Sequence, residues 1–139
     1  LGVWDFDLTT LEVWWSDELY RIFGQEPGRF VPTEEAFFKL VHPDDRGLIR
    51  EAIRRTIEED QSYHFCHRIV WRDGSLHWIE ASGQIIRDSD GRPLRLWGVS
   101  QDITERKVSE QVFRDSEERL RVVLSAAASA AFVWNIPED

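Results

Sequence analysis

The sequence predicts an α+β fold in which short helices and one long polar helix accompany antiparallel strands. Two short segments rich in aromatic and β-branched residues, 2–8 and 12–15, flank Thr9-Thr10 and indicate a hairpin. From Tyr63 the apolar residues alternate with period two, which is typical of strands. After Thr104 a stretch rich in Arg and Glu, free of Gly and Pro, indicates a helix.

The composition fits one globular domain. Apolar residues make up 42% and charged residues 31% of 139 residues, which suffices for a single core. Seven Trp and eight Phe exceed what a minimal core needs, so we expect some aromatic surface to face a ligand or a partner. The net charge of −9, with scattered positive charges, argues against a nucleic-acid partner.

Cysteine and hydropathy patterns predict a cytoplasmic location. The single cysteine, Cys66, excludes an intramolecular disulfide, and with four dispersed His it gives no zinc-ligand spacing, so no metal site is expected. No stretch approaches the roughly 18 apolar residues of a membrane span, so no direct membrane insertion is expected. Leu1 stands in place of Met, which predicts a piece of a parent protein whose own membrane association is left open.

Three helices are predicted between the hairpin and the later strands. Ser16 is suited to cap the first helix, which ends before Gly24, and Thr33 to cap the second. The third begins at 42–45, where a proline and two acids favour a helix start. Helical spacing predicts that it buries Leu48, Ile49, Ala52, Ile53 and Ile57.

The period-two region predicts a meander of strands near 63–71, 76–86 and 94–103, with turns at Asp73-Gly74 and Asp90-Gly91. A loop with an odd number of residues, centred near Gly74, pairs odd-numbered residues of the first strand with odd-numbered residues of the second. The predicted core face is Tyr63, Phe65, His67, Ile69, Trp71, His77, Ile79, Ala81 and Ile85. The ligand-pocket candidates on it are His67, Ile69, Ile79, Ala81 and Tyr63. His67 is the ionisable member, and a buried histidine hydrogen-bonded to backbone or to Tyr63 is the competing interpretation.

The same register places a second set of side chains on the outer face of the meander. Arg68 is expected near Glu80 and Val70 near Trp78, with either Leu96 or Trp97 continuing the set. The candidates for a dimer contact or a covered outer face are Val70, Trp78 and Trp97. A partner or a helix is expected to cover part of this apolar surface.

Six short sequence motifs occur along these elements. They are Gly2-Val3-Trp4-Asp5, His42-Pro43-Asp44-Asp45, Arg72-Asp73-Gly74-Ser75, His77-Trp78-Ile79-Glu80, Arg87-Asp88 with Asp90-Gly91, and Gly98-Val99-Ser100-Gln101-Asp102-Ile103-Thr104-Glu105-Arg106. Over residues 1–106 they resemble the PAS domain subclass that carries a C-terminal PAC segment. The last motif is the most specific.

The resemblance implies a five-stranded antiparallel sheet with short helices over one face, a C-terminal exit helix and a tendency to form homodimers. It implies a sensory module in a multi-domain bacterial or archaeal signalling protein, such as the sensor histidine kinase of a two-component system or a cyclic-dinucleotide enzyme. Asp102, Ile103 and Thr104 would relay a change in the pocket to the exit helix. Thr104 is also suited to cap that helix.

No cofactor is expected, although an unidentified small ligand is left open. A flavin-thiol photoreceptor would need its cysteine in the helical region within Asn-Cys-Arg, whereas Cys66 lies on a predicted strand. A haem sensor would need an axial histidine on the long helix, and 44–60 contains none. His67 on the core side is the residue that keeps the haem alternative open.

The predicted organisation is a PAS/PAC sensor domain at 1–104, a helical linker at 105–128 and the beginning of a second PAS-like repeat at 129–139. The repeat is inferred because Val133-Trp134-Asn135-Ile136 echoes Val3-Trp4-Asp5-Phe6. In the linker, Phe113 and Leu120 begin a weak heptad, and a single helix lying on its own domain is the alternative to a coiled coil. Adjacent PAS and output domains of the parent chain are the expected partners.

Catalysis within the chain is not expected. Asp44 and Asp45 could pair as carboxylates, but adjacent acids at a helix start follow from the helix dipole. No nucleophile–base pair or glycine-rich phosphate loop accompanies them. The predicted function is therefore a sensory signal-relay module, with a ligand-free PAS dimerisation or spacer module as the alternative and a small acidic enzyme as the remote one.

Overall fold

The computed structural model describes residues 1–134, and their side chains as far as Ala130. It has the predicted α+β architecture. The strands are β1 (Gly2–Asp7), β2 (Val13–Trp15), β3 (Tyr63–Val70), β4 (Leu76–Arg87) and β5 (Pro93–Asp102). The helices are α1 (Asp17–Ile22), α2 (Glu34–Leu40), α3 (Arg46–Glu59) and α4 (Thr104–Trp134), with a 3-10 turn at Pro43–Asp45. The chain divides into two compact units, Leu1–Thr104 and Glu105–Asp139.

The first unit is built on a five-stranded antiparallel sheet with the strand order β2-β1-β5-β4-β3. The predicted hairpin is present, with Trp4 opposite Trp15. β1 also pairs with β5, so that Gly2 lies opposite Ser100. The last strand of the sequence therefore occupies the centre of the sheet, between the hairpin and the two other strands of the meander.

The β3–β4 register has the predicted parity but differs from the prediction by two residues. His67 pairs with Ile79, so odd positions align with odd ones. Arg68, however, lies opposite Trp78 and not near Glu80, and Val70 lies opposite Leu76 and not near Trp78. The reason is that the turn is centred on Asp73 and not on Gly74. The Trp71 N–H donates to the Ser75 carbonyl at 3.0 Å, which closes a five-residue turn around Asp73.

The β4–β5 register decides which residue of the last strand faces outward. Ile85 pairs with Leu96, and Gln84 pairs with Trp97. Leu96 is 1% exposed and belongs to the core, whereas Trp97 is half-buried on the opposite face. Of the two alternatives for the outer face, the structure therefore selects Trp97.

The helix starts follow the predicted capping residues. Ser16 Oγ accepts from the Leu19 N–H at 3.4 Å, and Thr33 Oγ1 accepts from the Ala36 N–H at 3.0 Å. The 3-10 turn before α3 is capped by the ring of His42, whose Nδ1 accepts from the Asp44 N–H at 3.1 Å.

The predicted buried stripe of α3 needs one correction. Leu48 is 53% exposed and is not part of it. Thr56 is buried instead, at 1% exposure, because its hydroxyl donates to the Ala52 carbonyl at 3.0 Å and so needs no water. Ile49 is fully buried, as predicted.

A partly buried ion pair ties the start of α3 to β3. The Asp45 carboxylate accepts from the backbone N–H, Nε and Nη2 of Arg68 at 2.7, 3.0 and 2.8 Å. The side chains are 16% and 26% exposed. Hydrogen bonding from Arg68 holds the pKa of the Asp45 carboxyl below its usual range. Asp45 is therefore an anchor between helix and sheet.

The helix α4 has 31 residues, which include the predicted linker and continue six residues beyond 128. Phe113 and Leu120 of the weak heptad are 64% and 59% exposed. Within residues 1–134 no helix is both long and apolar enough to cross a membrane. The second repeat stays a prediction, since Asn135 and Ile136 lie outside the described residues.

We predict that Asp45→Ala lowers the free energy of unfolding by about 2 kcal/mol at pH 7, because it strands the partly buried Arg68. Asp44→Ala, the neighbouring control, should cost less than about 0.5 kcal/mol. The native pKa of Asp45 is lowered, so its contribution is present above about pH 4 and is lost as the pH falls through the native value. Urea unfolding measures both effects. Equal costs for the two variants would contradict this role.

Candidate functional site: a cavity between sheet and helices

A cavity of about 100 Å³ lies between the inner face of the sheet and the helices. Aromatic and aliphatic side chains form most of its wall. The lining residues are Trp4, Phe6, Val13, Trp15, Leu19, Phe23, Thr33, Glu34, Phe37, Phe38, Ile49, Ile53, Tyr63, Phe65, His67, Ala81, Leu96 and Ser100. Among them Glu34 is the single acid, and no Lys or Arg takes part. The cavity is therefore apolar and almost free of charge.

A row of rings along β3 forms one side of the cavity. Tyr63 stacks on Trp4 and on Phe65, with centroids 5.8 and 5.3 Å apart. Phe65 and Phe37 both lie against the ring of His67, at 5.6 and 5.9 Å. These separations are typical of favourable aromatic pairs, so the row is a rigid, flat-sided wall.

His67 is the buried ionisable group of this wall. It is 1% exposed, and its Nδ1 has no hydrogen-bond partner within the described part of the chain. Burial among apolar side chains lowers the pKa of His67 to about 4. The imidazole is therefore neutral near pH 7, and its Nδ1 makes no hydrogen bond of normal geometry within the described residues.

Tyr63 carries the second unsatisfied polar atom. Its hydroxyl is buried without a partner, and burial raises the pKa of the phenol. The ring fits there because two glycines face each other across β4 and β5. A Cβ atom on Gly83 or Gly98 would lie 2.3 or 2.6 Å from the Tyr63 Oη. The glycine pair thus makes room for the tyrosine at this end of the cavity.

The structure brings three of the five predicted pocket residues together at the cavity. Tyr63, His67 and Ala81 line it. Ile69 and Ile79 are fully buried in the neighbouring core cluster and are not among the lining residues.

The sequence interpretation missed most of the remaining wall, which comes from β1, β2 and the helices. The alternation of Trp4 and Phe6 with polar neighbours was the available signal for β1. Helix contributions such as Phe37 depend on tertiary packing, which no local pattern reveals.

At the exit of the sheet, Asp102 and Thr104 form a hydrogen-bonded clasp. The Asp102 carboxylate accepts from the Thr104 N–H at 2.8 Å and from the Thr104 hydroxyl. The Asp102 carboxylate thus satisfies the N–H of the first residue of α4, and the capping role expected of Thr104 stays a prediction. The Thr104 Oγ1 accepts from the Trp78 N–H of β4 at 3.0 Å. The N–H of Ile103 donates to the Trp78 carbonyl at 2.8 Å.

His77 supports this clasp from β4. Its Nδ1 lies 3.2 Å from the Asp102 Oδ2, and because a carboxylate can only accept, Nδ1 is the donor. The His77 ring stacks on Trp71 at 3.9 Å, and its Nε2 lies 3.0 Å from the Ser75 Oγ. His77 thus lies at the end of the sheet and connects the β3–β4 turn to Asp102, the last residue of β5.

The cavity and the clasp lie on one line across the sheet. His67 pairs with Ile79, and Ile79 pairs with Asp102. Because adjacent strands are about 4.8 Å apart, the backbone at His67 is about 10 Å from the backbone at Asp102. Ile79 also follows Trp78, the residue that both Ile103 and Thr104 contact.

The outer face of the sheet carries the three predicted candidates. Val70, Trp78 and Trp97 are all half-buried. The Arg68 guanidinium lies over the Trp78 ring, 5.5 Å from its centroid, which is a cation–π contact. No group of three His, Cys, Asp or Glu side chains suited to hold a metal occurs within residues 1–134.

Comparison with known proteins identifies the family. A model of the PAS fold matches residues 12–100. The chain belongs to the PAS fold family. A sensory box histidine kinase/response regulator from Burkholderia thailandensis has a similar structure, with a TM-score of 0.73 and 33% identity over 86% of this chain and 89% of that chain. The predicted membership of the PAS family is thereby confirmed.

Two curated relatives show where such PAS domains occur. Sensor protein FixL of Bradyrhizobium diazoefficiens is 31% identical over 96% of this chain and 26% of its own length. The probable diguanylate cyclase DgcE of Escherichia coli is 25% identical over 94% of this chain and 12% of its own length. This chain therefore spans a small part of these relatives and is a PAS sensory domain of the kind found in signalling proteins.

The buried histidine predicts a pH dependence of stability. Its native pKa of about 4 lies below the value of about 6.5 expected in the unfolded chain, so between these values the unfolded PAS domain binds more protons. The free energy of unfolding should fall by about 2 kcal/mol between pH 7 and pH 5 on this account. His67→Leu should remove that loss.

Urea unfolding of wild type and of His67→Leu at pH 7 and pH 5 measures this loss of stability in each protein. The carboxylates contribute alike to the pH dependence of both, so the difference between the two losses reports on His67. His64→Leu is the matched control, because His64 lies on the same strand with a side chain that is 63% exposed. Its pH dependence should equal that of the wild type. If His67→Leu lost as much stability between pH 7 and pH 5 as wild type does, a neutral, buried His67 would be contradicted.

Proposed function

We propose that this PAS domain is a cytoplasmic sensory and signal-relay module of a larger protein, such as a sensor histidine kinase, and has no catalytic role itself. The names of similar proteins support this: a sensor protein, a probable diguanylate cyclase, and a sensory box histidine kinase/response regulator. The output enzyme would then be a kinase or a cyclase elsewhere in the parent protein. A homodimer and adjacent PAS and output domains are the partners of this proposal.

The observation that carries the proposal is the line from His67 through Ile79 to Asp102. A ligand that displaces the ring of His67 acts on β3, and the backbone pairing passes the displacement to β4. Trp78 of β4 is held by Ile103 and Thr104 through one hydrogen bond each. A shift of β4 therefore changes the hydrogen bonds at the first residue of α4, which makes Asp102, Ile103 and Thr104 the relay.

The relay has the properties of a switch because its polar groups have alternative partners. The Asp102 carboxylate serves both His77 and Thr104, and the Thr104 hydroxyl both donates to Asp102 and accepts from the Trp78 N–H. When one of these hydrogen bonds lengthens, the group that it releases can form a stronger hydrogen bond with its other partner. A small displacement can thus be converted into a different direction of α4.

A ligand-free dimerising spacer is the second candidate function. The apolar outer face supports it, since Val70, Trp78 and Trp97 are half-buried there. In that case a partner bound to the outer face, and not a ligand in the cavity, would move β4. The two functions differ in whether the cavity is occupied when the protein works.

The test is to search the purified PAS domain for a bound small molecule by mass spectrometry, before and after denaturation, and to return the released molecule to emptied protein. We predict that a molecule is released and that its return shifts the amide NMR signals of Trp78, Ile103 and Thr104. In Thr104→Val, which lacks the hydroxyl, the shift at Trp78 should shrink, whereas Thr104→Ser should retain it.

Repeated empty preparations, together with a concentration-dependent dimer that Trp97→Ala weakens, would contradict the sensor and favour the spacer. A released molecule that shifts cavity signals and leaves Ile103 unchanged would contradict the relay.

A further inference from the structure

We propose that the cavity binds a small, neutral, single-ring aromatic molecule with one hydroxyl group, and that this hydroxyl hydrogen-bonds to Nδ1 of His67. This inference rests on the proposed sensory function, because it names the class of ligand that the sensor would take. Four features of the cavity lead to it: its size, its flat aromatic walls, its charge and its unsatisfied nitrogen.

The size limits the ligand to about one ring. The cavity encloses about 100 Å³, and an apolar protein cavity of about 150 Å³ is known to hold benzene. Sites for drug-sized ligands and cofactors occupy roughly 300–1,000 Å³. A multi-ring cofactor would therefore require the walls to move apart, whereas a single ring fits with small adjustments of side chains.

The walls favour a flat ring over an aliphatic chain. Tyr63 and Phe65 are stacked with an angle of 27° between their planes, and Phe37 meets His67 edge-on at 84°. A ring placed among them can make both stacked and edge contacts, each of which adds to the energy of burial alone. An alkyl chain of the same size would gain the burial and lose these contacts.

The charge distribution excludes anions and offers little to cations. No Lys or Arg lines the cavity, and the imidazole of His67 is neutral, so a carboxylate or phosphate would be buried without a counter-charge. Glu34 is the single lining acid, and its position in the first turn of α2 gives it a role there already. A neutral ligand meets none of these costs.

The unsatisfied nitrogen selects a hydroxyl as the polar group. Nδ1 of neutral His67 is a donor in one tautomer and an acceptor in the other, and a hydroxyl matches either because it can donate and accept. A buried polar atom without a partner destabilises the protein, so a ligand that supplies one gains affinity. The hydroxyl of Tyr63 belongs to a residue four positions away along β3, a backbone separation of about 13 Å, so His67 is the partner that we assign to the ligand hydroxyl.

The test compares phenol with toluene, which has nearly the same shape and lacks the hydroxyl, and with benzoate, which adds a charge. Amide NMR titrations of the PAS domain give the three dissociation constants. We expect phenol to shift the signals of Tyr63 and Ala81 and benzoate to leave them unchanged. In His67→Leu the affinity for phenol relative to toluene should fall about fivefold or more. The control His64→Leu should keep the wild-type ratio.

A second measurement does not depend on the variant being folded. The ¹⁵N signal of His67 Nδ1 in wild type should move on adding phenol and stay in place on adding toluene. Absence of phenol binding, tighter binding of benzoate than of phenol, or an Nδ1 signal that responds equally to phenol and toluene would each overturn the proposed class.

The same spectra separate this proposal from the proposed function. Phenol binding that leaves Ile103 and Thr104 unchanged would support the ligand class and contradict the relay. A released cellular ligand of another class that shifts Ile103 and Thr104 would overturn the class and support the relay.

Discussion

The pairing of β3 with β4 is the constraint on which the other features of this domain depend. Side chains alternate between the two faces of a strand, so a register that differed by one residue would exchange the inner and outer sets. The five-residue turn around Asp73 sets the parity. It places His67 inside, Arg68 and Trp78 outside, and Ile79 between the histidine and Asp102. The inner wall that β3 gives to the cavity and the pairing of Ile79 with both His67 and Asp102 follow from this register.

The core contains a conflict between packing and polarity that is confined to the cavity. Most of the wall is aromatic and stabilises the fold by burial and by ring contacts. His67 and Tyr63 nevertheless each bury a polar atom that has no partner within the described residues. Such atoms are rare in folded proteins because each costs free energy. Their presence on one strand, beside an apolar space, distinguishes this cavity from a packing defect between aliphatic side chains.

Much of this fold could be predicted from the sequence because its signals are local. Ser16 and Thr33 were recognised as caps from the acids and apolar residues that follow them, and both make the expected hydrogen bonds. The register error of two residues shows the limit, since Gly74 indicated a turn without indicating its centre. The Thr104 hydroxyl contacts Trp78, a residue 26 positions away that no local pattern connects to it.

We expect His67 and Asp102 to act on each other through β4, because Ile79 pairs with both. A double-mutant cycle on the free energy of unfolding tests this coupling most directly, with His67→Leu combined with Asp102→Asn, and with Asp88→Asn as the control partner in the β4–β5 turn. Distant sites normally add within about 0.5 kcal/mol. We predict a coupling energy above that value for His67 with Asp102 and additivity with Asp88. Additive effects in both cycles would contradict it.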